Sequence, residues 1–67
     1  MKANVSRLKV ARVTAGMTQF ELAQRLNLPE VTISRLETGR QLPTQELRDR
    51  ISAVLGKSGI ELFGGVR

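Results

Sequence analysis

The sequence predicts an all-α fold, a compact bundle of four to five helices with room for a short strand or hairpin at its C-terminal end. Apolar residues recur at three- and four-residue spacings along most of the chain, the period of helices with one buried face. Thr, Ser, Asn and Gly stand where such stretches would begin and end. The chain has only 67 residues, enough for one domain with one small core. Residues 1–67 are therefore read as a single domain with a central motif at 18–38 and a tail at 59–67.

Val5, Leu8, Ala11 and Ala15 share one face of a first helix, with Asn4 or Ser6 as its N-cap and Gly16 as its end. Thr18 followed by Glu21 has capping-box spacing, and Leu22, Ala23 and Leu26 continue an apolar stripe through a second helix. Asn27 suits the left-handed conformation that closes it, Leu28 is the apolar residue of the turn, and Pro29 is placed as the first residue of the next helix. The third helix is read from Pro29 to Thr38. At roughly 100° per residue, Ile33 and Leu36 define its buried direction. Val31, Ser34, Arg35 and Thr38 point the other way, with Glu30 on their flank. Gly39 supplies the αL cap and leaves Arg40 open to solvent.

Thr44 is a good N-cap for a fourth helix whose Leu47, Ile51, Val54 and Leu55 face the core, while Glu46, Asp49 and Arg50 read as its solvated face. Gly56 costs about 1 kcal/mol inside a helix relative to alanine. The helix therefore either stops there or runs on to Ser58 with Gly59 as cap. Beyond it, Ile60 to Phe63 is a short apolar run followed by Gly64-Gly65, which reads as a tight turn.

Composition removes whole classes of function. With no Cys and no His, the chain lacks thiolate and imidazole metal ligands, disulfides and the usual nucleophile and base pairs. No cofactor, metal or catalytic activity is expected. No apolar run approaches a membrane span, and the N-terminus does not read as a signal peptide. The expectation is a soluble, cytoplasmic, nucleoid-associated protein that avoids membranes. Eleven Lys and Arg against six Asp and Glu give a net charge of +5, which favours a polyanionic partner. Lys2, Arg7, Lys9 and Arg12 precede the first acid, Glu21, and place this end near phosphates.

Two short amphipathic helices joined by so tight a turn outline a helix-turn-helix, a device that reads the DNA major groove. The segment Leu8 to Leu55 resembles the lambda-repressor-like helix-turn-helix family, the Cro/CI or Xre type. The resemblance rests on Arg12, on Met17-Thr18-Gln19, on Leu22-Ala23, on Thr32-Ile33-Ser34-Arg35-Leu36-Glu37, and on Gly39 and Pro43. Together these cover about two-thirds of the chain. Pro29 departs from the small polar N-cap common in that family, and Phe20 stands where it usually has a polar residue.

The resemblance implies a compact all-α bundle and assigns roles by position. Gln19 would touch a phosphate or support a base-reading side chain. Glu30, Val31, Thr32 and Arg35 occupy positions that reach base edges or flanking phosphates, and Arg12 with Glu37 form a structural pair tying the first helix to the end of the third. Chemistry sharpens this. Arg35 offers a fork suited to guanine O6 and N7, Val31 an apolar contact for a thymine methyl, and Glu30 an acceptor for cytosine N4. Thr18, Gln19, Thr32, Ser34, Thr38 and Arg40 suit backbone or supporting contacts. Each has a plainer rival. Arg35 taken alone is a solvated charge, Val31 packs on another subunit, Phe20 is partly buried packing, and Arg12 with Glu37 is a surface ion pair worth about 0–1 kcal/mol.

The tail divides the resemblance. Many relatives carry a short fifth helix, which Ser58 would cap, whereas certain small bacterial members end in a strand or hairpin. Lys57, where the five-helix pattern wants an apolar residue, tilts the reading towards the strand. A lone hairpin would be marginal, and pairing with a second subunit would remedy that. Ile60, Leu62, Phe63 and Val66 are the candidate dimer interface. The same residues would alternatively close the core. A dimer with recognition helices about 34 Å apart would read a pseudo-palindrome.

The functional expectation is a sequence-specific double-stranded DNA-binding transcriptional regulator, a prokaryotic or phage repressor acting as a homodimer on an operator. The alternatives are the antitoxin of a toxin–antitoxin pair, with the toxin as partner, and a protein-interaction adaptor that does not bind DNA. Steep salt sensitivity separates DNA binding from an apolar contact.

Overall fold

The computed structural model describes residues 6–64 and contains, among them, five helices and no strand. These are α1 (Arg7–Thr14), α2 (Gln19–Leu26), α3 (Glu30–Thr38), α4 (Gln45–Leu55) and α5 (Gly59–Phe63). Ser6 caps α1, its Oγ accepting the Lys9 N–H at 3.0 Å. Asn4, Val5 and Lys2 lie outside the described residues. Leu8 is buried and Ala11 packs on the core, but Ala15 is exposed. The helix ends at Thr14, so Ala15 as its C-cap no longer follows the apolar face.

Thr18 and Glu21 close a reciprocal capping box at the start of α2, satisfying two orphan donors in one exchange. At the other end Asn27 adopts φ 59° and ψ 46°, and the Leu28 N–H bonds Ala23 O at 2.9 Å. That bond turns Leu28 back onto the core.

Pro29 is the N-cap of α3 rather than its first helical residue. Its φ of −64° would suit either position, but its ψ of 146° is extended, and its carbonyl accepts the Thr32 N–H at 3.0 Å. Proline has no side-chain acceptor, so α3 starts without a side-chain cap. Gly39 at φ 79° ends the helix, a conformation that costs an L-residue about 1–2 kcal/mol.

Thr44 caps α4, and Gly56 at φ 68° stops it at Leu55, so it does not run on to Ser58. One residue on its expected solvated face has an internal task. The Arg50 guanidinium donates to Leu26 O, joining α4 to the C-terminal end of α2, where the helix dipole favours a cation.

The segment after Gly56 is a helix, which overturns the lean towards a strand or hairpin. Ser58 and Glu61 form a second capping box: Ser58 N–H donates to Glu61 Oε1 at 3.0 Å, and Glu61 N–H donates to Ser58 Oγ at 3.1 Å. Lys57 stays exposed just before the cap, where no apolar side chain is needed. Gly65 and Val66, with the expected turn, lie outside the described residues.

The core joins all five helices through Leu8, Leu22, Ala23, Leu26, Ile33, Leu36, Ile51 and Leu62. Full burial of each large aliphatic side chain contributes about 1.5–3 kcal/mol. Helix α3 packs on α2 and α1, α4 packs on α2 and α5, and α5 packs on α1. Among the described residues no helix is long and apolar enough to cross a membrane.

Candidate nucleic-acid interface

Helix α3 is fixed on one side and open on the other. Ile33, Leu36 and Glu37 are buried, while Glu30, Val31, Arg35 and Thr38 are exposed and Thr32 and Ser34 are half-buried. Val31 keeps 51% of its surface in solvent. Among the described residues Arg35 forms no side-chain hydrogen bond or ion pair, so its planar fork is available to an external acceptor pair. Thr38 differs, because its hydroxyl donates within the helix to Ser34 O at 2.9 Å and also approaches Arg35 O at 3.3 Å. A donor contact from Thr38 to phosphate requires that hydroxyl to rotate away. Arg40 is exposed just past Gly39.

The start of α2 adds donors beside this face. The Thr18 hydroxyl accepts the Glu21 N–H at 3.0 Å and keeps its own hydrogen. The backbone N–H groups of Gln19 and Phe20, at the first two helical positions, have no intrahelical acceptors. They lie at the positive end of the helix dipole, which favours an anion. Phe20 itself is 54% exposed and is not the partly buried packing residue expected of it.

What holds α2 and α3 in register with α1 is a buried polar cluster. Arg12 and Glu37 are each 7% exposed, so this is not a surface ion pair. Arg12 Nε donates to Glu37 Oε2 at 2.5 Å and Nη2 to Oε1 at 3.2 Å, a two-pronged contact. Arg12 Nη1 also donates to Met17 O at 2.8 Å, fixing the residue that leads into α2. Being turned inward, Arg12 leaves the set of N-terminal cations near phosphates, whereas Arg7 and Lys9 are exposed. The Gln19 side chain joins the same carboxylate, Nε2 to Glu37 Oε1 at 3.0 Å. That contact crosses 18 positions of sequence, and no local pattern announces it.

Of the candidate dimer residues that the structure describes, one is buried. Leu62 is 3% exposed and closes the core, because α5 turns it onto α1 and α4, so it is unavailable to a second subunit. Ile60 is 63% exposed, Phe63 is half-buried beneath the Arg48 guanidinium at 5.7 Å, and Val66 lies outside the described residues. Among the described residues no group of His, Cys, Asp or Glu is placed to hold a metal ion.

Comparison with known proteins agrees with this geometry. A family model described as helix-turn-helix matches residues 8–62, from α1 into α5. A protein of Methanothermobacter thermautotrophicus named as an uncharacterized HTH-type transcriptional regulator is 44% identical over 50 residues, covering 75% of this chain and 72% of that relative. With its paired α2 and α3, its outward α3 face and the Arg12–Glu37 clasp, the chain belongs to the lambda-repressor-like helix-turn-helix family of DNA-binding transcription regulators.

Proposed function

We propose that the protein is a sequence-specific repressor that binds a pseudo-palindromic operator in double-stranded DNA as a homodimer. The observation that carries this reading is the outward face of α3, where exposed Glu30, Val31 and Arg35 stand on a helix whose other face is locked into the core. With α3 in the major groove, Arg35 addresses guanine, Val31 a thymine methyl and Glu30 a cytosine amino group. Thr18, Gln19, Thr32, Ser34 and Arg40 settle the register through backbone contacts, as does Thr38 once its hydroxyl has turned. Glu30 repels phosphate, so it favours selectivity at the expense of affinity.

One module makes few base contacts, and two copies spaced by about 34 Å would read successive major-groove faces. Exposed Ile60 and half-buried Phe63 remain the interface residues of this reading. A second reading draws on Phe20 and Val31, both more than half exposed, as a contact surface for a protein such as a toxin.

Selection from a random duplex library at two salt concentrations, with the bound sites sequenced, tests the proposal. Enrichment of a two-fold-related site and a steep fall in affinity with salt are expected. Weak binding without an enriched site, or salt-insensitive binding to a protein partner, would contradict it.

A further inference from the structure

We propose that Glu37 is a positioning residue for DNA contact: it holds the Gln19 amide so that one N–H hydrogen is committed to the protein and the other is offered to a phosphate oxygen of the duplex. This rests on the DNA-binding reading and adds to it a second task for the Arg12–Glu37 pair.

The chemistry of the acceptor fixes the amide. An ionised carboxylate only accepts, so the nitrogen of Gln19, not its carbonyl oxygen, must face Glu37, as the 3.0 Å Nε2–Oε1 contact has it. Glu37 is itself immobile, since its side chain is 3% exposed and both oxygens are held by Arg12. The remaining Gln19 N–H has no acceptor among the described residues and belongs to the first residue of α2, beside unpaired backbone donors. An anionic oxygen is the partner that suits such a cluster.

Arg12 makes the arrangement tolerable. A lone carboxylate one side chain away from a phosphate would repel it, whereas the Arg12–Glu37 pair is neutral. A side chain already held in one rotamer also loses less freedom on binding than a mobile glutamine would. Gln19 thus becomes a neutral bridge between an internal carboxylate and an external phosphate, pre-set by two buried side chains.

The test is a cycle of duplex-binding titrations on the site selected by the wild-type protein, at a temperature where every variant is shown to be folded. Gln19→Met keeps the length of the side chain and removes its hydrogen bonds, and it is expected to weaken binding about tenfold. In an Arg12→Met/Glu37→Leu background the same change is expected to cost less than about twofold, because the amide is no longer held. Equal losses in both backgrounds would overturn the proposal, showing that Gln19 acts on DNA without Glu37. No loss in either would overturn it by making Gln19 purely internal. Failure of the wild type to bind any duplex would overturn the DNA-binding reading as well.

Should the double variant not fold, the Gln19 side-chain NH2 resonances decide the matter in the wild type. One hydrogen is expected to be shifted downfield in the free protein and the other to move on adding DNA. A second hydrogen indifferent to DNA would overturn the proposal.

Discussion

Removing one partner of the Arg12–Glu37 pair should nearly unfold the protein, while removing both should not. In Glu37→Gln the Arg12 guanidinium stays 7% exposed, with Met17 O and a neutral amide as its nearest acceptors. An uncompensated charge at such burial costs about 3–5 kcal/mol. A domain of this size sits near the lower end of the usual range, at about 5 kcal/mol of total stability. The single variant should therefore lose most of it, with a fall in Tm of at least roughly 15 °C. In Arg12→Met/Glu37→Leu the apolar replacements need no compensation, and the freed Gln19 amide is half-buried within reach of water. The double variant should be more stable than either Arg12→Met or Glu37→Gln. Urea unfolding followed by circular dichroism at neutral pH measures all of them. Single losses under about 1 kcal/mol that simply add would refute the reasoning, because those are the values of an exposed pair.

Other expectations follow from the same contacts. Leu62→Ala should cost about 2–5 kcal/mol in urea unfolding, since Leu62 is 3% exposed in the core; a cost below 1 kcal/mol would mean that α5 is not docked. Ser58→Ala should expose the amides of α5 to hydrogen exchange, at a cost of about 0.5–2 kcal/mol, and leave α2 protected. The hydrogen bond from the Ser58 backbone holds the Glu61 carboxyl below its ordinary range; desolvation, the next largest effect, opposes it, and nearby Lys57 and the Ser58 side chain add to the lowering. The stability that the Glu61 carboxylate adds to the α5 cap should accordingly be present above the ordinary carboxylate range and be lost as pH falls through the lowered value, while the Glu61 N–H to Ser58 Oγ bond remains; an NMR titration of Glu61 and Ser58 reads this directly. Asn27→Val should destabilise the α2–α3 turn by about 1–2 kcal/mol, because a β-branched residue resists φ 59°, whereas Asn27→Gly should be close to neutral.

Short-range chemistry made most of the fold legible in the sequence. Thr18 with Glu21, Asn27, Gly39 and the apolar stripe Leu22, Ala23 and Leu26 each act within one or two helical turns, so spacing alone locates α2 and the turn that follows it. Pro29 lies one residue from its expected place because its fixed φ is the same at the cap and at the first helical position, and only ψ tells them apart. Ser58 and Glu61 of the fifth helix have the same capping-box spacing as Thr18 and Glu21 of α2, yet Lys57 and the surrounding glycines fit a strand and turn as well. Contacts between distant residues left no such trace. In sequence Arg50 is indistinguishable from a solvated charge although it reaches Leu26 O, and nothing near Gln19 marks Glu37 as its partner. The pairing of Arg12 with Glu37 is legible through family resemblance alone, while its burial is a product of how the helices pack.

The outward face of α3 as the reader of base edges is tested most directly by comparing the base preferences of wild type and Arg35→Ala on the selected operator. Arg35 is exposed and has no partner among the described residues, so the variant should keep its stability. The account predicts that preference is lost at one position of each half-site, by about 1–3 kcal/mol, while the other positions keep theirs. A uniform loss of affinity with every preference intact would contradict it and make Arg35 a backbone contact.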